Sequence, residues 1–94
     1  MSWRFSRRAE RDVRQIAERI AADNPAAAGR WLERLDHLLA KAAFMPGMGA
    51  PRDEVRPALR FVTHGDYLVL YTPERDHIVV VRVVHGARRW QSLV

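Results

Sequence analysis

Ninety-four residues, 48% of them hydrophobic and 29% charged, suit one folded domain spanning 1–94 and exclude a disordered chain. The absence of cysteine excludes disulfides and thiolate metal sites, and no run approaches the ~18 apolar residues that a membrane helix needs. The net charge of +5 and pI of 11.0 come from arginine, with Lys41 the only lysine, and point either to an anionic partner or to arginines on solvated faces.

The opening residues lack the apolar core of a signal peptide, so a soluble, cytoplasmic location is expected. Trp3-Arg4-Phe5 alternates in polarity, which predicts a short strand over 2–5, and Ser6 suits a helix N-cap. From Arg7 to about Ala22, the apolar residues Ala9, Val13, Ile16, Ala17 and Ile20 recur at helical spacing. Asn24-Pro25 restarts the chain as cap and first turn of a second helix, which runs to about Ala43. Its stripe is Ala28, Trp31, Leu32, Leu35, Leu38, Leu39 and Ala42. So short a connection implies an antiparallel helical hairpin.

Phe44 to Arg52 is rich in Pro and Gly, and neither helix nor strand is expected there. Three β signals follow: Leu59–Thr63, Tyr67–Thr72 and Ile78–Val84, separated by turns at His64-Gly65-Asp66 and Pro73–Asp76. In the second, Tyr67, Val69 and Tyr71 share one face while Leu68 and Leu70 share the other. The density of Val and Ile in the third predicts an interior strand buried on both faces. The fold class is therefore α+β: an N-terminal strand, the helical hairpin, then a three-stranded antiparallel meander, in the order β-α-α-β-β-β. The last strand delivers His85, Arg88 and Arg89 to one cationic edge, the candidate working surface.

Several short motifs, taken in order, resemble the ParE/RelE toxins of bacterial toxin–antitoxin pairs over nearly the whole chain. They are Ser6-Arg7-Arg8-Ala9, the loop Pro46-Gly47-Met48-Gly49, Arg60 opening a strand, Tyr67-Leu68-Val69-Leu70-Tyr71, and Val81-Arg82-Val83-Val84-His85-Gly86-Ala87-Arg88. The resemblance implies either a non-enzymatic poison of DNA gyrase or a ribosome-dependent mRNA endoribonuclease. It also implies a cognate antitoxin whose acidic C-terminal segment folds onto the toxin, in a groove between hairpin and sheet or along a sheet edge. RNA cleavage needs groups that position the nucleophile, move protons and steady the phosphorane. With one lysine and no tyrosine after Tyr71, that set is incomplete here, and the ParE branch is favoured. A non-toxic nucleic-acid-binding or regulatory relative is the third reading. Where ParE-like members often carry Asp after the terminal arginine, this chain has Arg89.

The candidate partner-binding residues are Arg60, Arg82, His85, Arg88, Arg89 and Trp90, and a nuclease would draw on Arg60, Arg82, His85 and Arg88. Three of them also have a structural reading. Arg82 lies inside an apolar run, so its guanidinium needs a partner such as Glu54 or Asp66. His85 suits a hydrogen-bonded rim position, and Arg60 is open between the two roles. Tyr67 and Tyr71 suit a core face with wet hydroxyls, and Trp31 suits helix–sheet packing. Trp90, read as exposed beside arginines, fits a contact hot spot. On this reading, changing Arg82 or Arg88 to Glu weakens the antitoxin complex. His37, His64, His77 and His85 show no ligand spacing, so no metal or cofactor is expected.

Overall fold

In the computed structural model, which describes residues 2–94, the N-terminal strand β1 (Ser2–Phe5) turns into helix α1 (Arg7–Asp23) at Ser6. The Ser6 hydroxyl oxygen accepts from Ala9 N–H at 3.0 Å, capping the helix, and the hydroxyl donates to the carbonyl of Val81 at 2.8 Å. One side chain thus ends the strand, starts the helix and ties both to a strand 75 residues away in sequence. Asn24 is the whole connection to α2 (Pro25–Phe44), accepting from Ala27 N–H at 3.1 Å with Pro25 in the first turn.

Strands β2 (Ala50–Pro51), β3 (Arg60–His64), β4 (Tyr67–Pro73) and β5 (His77–His85) complete a sheet of order β1-β5-β4-β3-β2. The β3–β4–β5 meander is antiparallel as expected, and β1 adds to it in parallel alongside β5. With a neighbour on either side, β5 is the interior strand its Val content predicts. Gly65 supplies the positive φ, 60°, at the tight β3–β4 turn. The breaker-rich loop is more ordered than its composition suggests. Pro46–Met48 forms a 3₁₀ turn, and Ala50–Pro51 pairs with β3 as a fifth strand. Proline is tolerated there because β2 is an edge strand.

The sheet carries a core on each face. Leu35, Leu39, Val69, Tyr71, Ile78, Val80 and Val83 pack with the hairpin. On the opposite face, Leu59, Leu70, Val81, Val84 and Trp90 form a second layer, covered by a C-terminal 3₁₀ turn, Trp90–Leu93. The register shifts between Leu70 and Tyr71, where Leu70 faces Arg82 but Tyr71 faces Val80. This bulge resets the alternation, so Val80 and Val83 share the helical side while Val81 and Val84 share the other. Trp90 is therefore 7% exposed, packed 6.2 Å from Phe61 between ring centres, and the reading of it as an exposed hot spot is corrected. No described helix is long and apolar enough to cross a membrane.

Candidate functional site

The six candidate residues do not form a single site. Arg60, opening β3 next to β2, has its guanidinium bound to the carbonyls of Gly47 at 3.1 Å and Gly49 at 2.5 Å. The Tyr71 hydroxyl completes this clamp, donating to Pro46 C=O at 2.7 Å and accepting from Gly49 N–H at 3.0 Å. The residue is fully buried, so its hydroxyl is satisfied inside the protein rather than wet as expected. Burial pushes the Tyr71 phenol pKa up, against the opposing influence of the Gly49 amide and Arg60. Gly49 has no room for a side chain, since a Cβ would lie 2.5 Å from the Tyr71 hydroxyl.

Arg82 pairs with Asp12 of α1, not with Glu54 or Asp66. Its Nε and Nη2 donate to the two carboxylate oxygens at 2.7 and 3.0 Å, and Nη1 donates to Leu93 C=O at 2.8 Å. Asp12 also accepts from Val83 N–H at 3.0 Å. That amide lies beyond Phe5, where β1 stops pairing with β5, so the carboxylate of α1 takes over from the missing strand. The hydrogen bond to Asp12 raises the Arg82 pKa despite burial. With three guanidinium donors engaged inside the protein, Arg82 is a structural clasp between α1, β5 and the C-terminal turn.

Arg82, His85 and Arg88 do come together, lining a cleft of about 220 Å³ between α1 and the end of β5. The His85 Nδ1 accepts from Ala87 N–H at 3.1 Å, which places the proton of a neutral ring on Nε2. This matches the rim reading. The Tyr67 ring stands edge-on to His85 at 5.4 Å and to Trp31 at 5.8 Å. Trp31 in turn lies 5.1 Å from His64, whose Nε2 donates to the Trp31 carbonyl at 3.1 Å. An aromatic row therefore runs from α2 to the cleft floor and fixes the Tyr67 ring. Arg89 is exposed outside the cleft lining, its carbonyl accepting from the Ser92 hydroxyl.

Sequence reasoning missed three contributors to this cleft: Asp12, Gln15 and Arg19. Their spacing of three and four places them on one flank of α1, a signal visible in the sequence but not tied there to the C-terminal strand. Arg19 and Arg88 form no ion pair among the described residues, whereas the cationic charge of Arg82 is matched by Asp12. The cleft thus presents two available guanidinium groups, the Tyr67 ring and an imidazole, a chemistry suited to carboxylate or phosphate oxygens. On the other flank of α1, Phe5, Val13, Ala17 and Leu32 line an open apolar groove of about 380 Å³, rimmed by Glu10, Arg14 and Glu18.

Residues 3–90 match the family model described as ParE toxin of type II toxin-antitoxin system, parDE. A solved structure of the chromosomal ParDE TA system from P. aeruginosa includes a chain with the same fold, at a TM-score of 0.73 and 18% identity. The superposition covers 90% of the present chain and 95% of that one. No curated protein sequence matches.

Proposed function

Because the chain belongs to the ParE toxin family of type II toxin–antitoxin systems, we propose that it inhibits DNA gyrase and is held inactive by a cognate antitoxin. The observation that carries the choice of gyrase over RNA cleavage is the engagement of Arg82 and Arg60. Of four groups a nuclease would draw on, Arg82 is bound by Asp12 and Leu93, and Arg60 by the Gly47 and Gly49 carbonyls. His85 and Arg88 alone do not make an acid, a base and a charge clamp around a phosphodiester. The endoribonuclease is kept as a second reading because Tyr67, His85, Arg19 and Arg88 converge on one cleft.

For the antitoxin, the two flanks of α1 are complementary in kind. An amphipathic segment crossing the helix would bury its apolar side against Phe5, Val13, Ala17 and Leu32 and bring acidic side chains to Arg19 and Arg88. The groove lies between the hairpin and β1, and the sequence reading offered a groove between hairpin and sheet or a sheet edge for the antitoxin. Arg88 is the cleaner residue for testing the complex, since the Arg82 guanidinium is held by Asp12 and Leu93 C=O and its replacement also loosens the α1–β5 clasp.

The test is purified chain with gyrase, supercoiled plasmid and ATP, scored for linear DNA after denaturing the protein. Linear product that the antitoxin suppresses is the expected result, with suppression weakened in the R19E/R88E variant. No linear product from competent gyrase refutes the gyrase reading and turns the question to transcript cleavage on ribosomes.

A further inference from the structure

The end of α2 carries an apolar knuckle that neither flank of α1 explains. Phe44 is 77% exposed, Met45 50% and Met48 37%, three large apolar side chains within five residues. Isolated exposed apolar residues are ordinary, but a contiguous group marks a contact surface. Aromatic residues and methionine are also the apolar types enriched in protein–protein contacts.

The backbone beneath the knuckle is braced. Tyr71 holds Pro46 and Gly49, Arg60 holds Gly47 and Gly49, and Met48 N–H donates to Met45 C=O at 3.0 Å. Such bracing fixes the knuckle before any partner arrives, which lowers the ordering cost of binding. Its surroundings are basic: Lys41 lies one turn before Met45 on α2, Arg60 lies beneath, and no carboxylate side chain occurs between Asp36 and Asp53. Apolar side chains in a cationic rim fit a protein face with an apolar pocket and acidic edges, and they fit the uniform charge of a nucleic acid backbone poorly. Leu32, the α2 residue of the α1 groove, lies about 18 Å along the helix from Phe44, and none of Phe44, Met45 and Met48 lines that groove.

Resting on the gyrase reading, we propose that Phe44, Met45 and Met48 are the surface by which this toxin grips its target enzyme, seated in an acidic-rimmed apolar pocket of gyrase. Antitoxin and target then engage different residues of the helical hairpin, and the two affinities are separable by mutation.

The experiment measures binding of the full chain to gyrase by surface plasmon resonance, and to the antitoxin by calorimetry, for wild type and F44S/M48S. Both substituted side chains are exposed, so the variant is expected to melt within a few degrees of wild type, checked in the same preparations. Gyrase affinity is expected to fall at least about tenfold, with antitoxin affinity unchanged. A K41E variant weakens gyrase binding in the same direction by loss of charge complementarity. Equal gyrase binding by wild type and F44S/M48S overturns the knuckle and leaves the gyrase reading standing. No gyrase binding by wild type refutes that reading and removes the occupant with it. A parallel loss of antitoxin affinity assigns the knuckle to the antitoxin instead, as does a wild-type dimer lost in the variant to a second copy.

Discussion

Replacing Asp12 by Ala tests whether the clasp between α1 and β5 holds the fold together. The Asp12 and Arg82 side chains are 11% and 12% exposed, so the pair is shielded from water and weakly screened. Removing the carboxylate leaves a guanidinium with one internal partner, Leu93 C=O, and orphans the Val83 amide. Breaking a buried pair from one side costs about 3–5 kcal/mol, against about 0–1 kcal/mol for an exposed one. A chain of this length has roughly 5–14 kcal/mol in total, so the loss takes a large share of it. At about 4–8 °C per kcal/mol, the melting temperature should drop by roughly 12–40 °C. Thermal and urea unfolding followed by circular dichroism measure this. The companion variant D12L/R82M removes both charges and should recover much of the loss, because no uncompensated charge stays buried. A D12A cost below about 1 kcal/mol, or a double variant no better than D12A, refutes the clasp as a buried and coupled pair.

Tyr71→Phe keeps the ring but orphans Pro46 C=O and Gly49 N–H, at an expected cost of about 1–3 kcal/mol in urea unfolding. The raised Tyr71 pKa also sets a pH dependence. The unfolded chain releases this proton near 10.0 while the folded chain retains it, so the contribution is complete below that pH and declines as pH rises toward the folded value. Melting curves should therefore fall less steeply above pH 10 in Y71F than in wild type, and equal slopes would count against Tyr71 as the source. Trp90→Ala empties part of the second core and should cost about 3–5 kcal/mol, whereas an exposed tryptophan would cost under about 0.5 kcal/mol, so the same unfolding assay separates the two.

Local chemistry determined much of this protein before any tertiary contact was considered. Ser6 and Asn24-Pro25 set the starts of both helices, because capping uses atoms only three residues apart. The apolar spacing of α1 and α2 and the Val-rich run of β5 fixed the α+β class and the interior place of that strand, and the ordered motifs carried the family. Three matters were decided only in three dimensions. Asp12 meets Arg82 across 70 residues because α1 passes over β5 where β1 ends, whereas the chain alone pointed to Glu54 or Asp66 as the partner. Trp90 turned inward because the sheet's second face was apolar and needed a cover, which polarity near a terminus does not reveal. Arg60 and Arg88, alike in type, parted into a loop clamp and a free cleft cation because Arg60 opens β3 while Arg88 lies in the turn after β5, two places away in the sheet. Periodicity records which side of its own element a residue occupies, but the partner it meets there depends on how the elements are stacked, and stacking is a property of the whole chain.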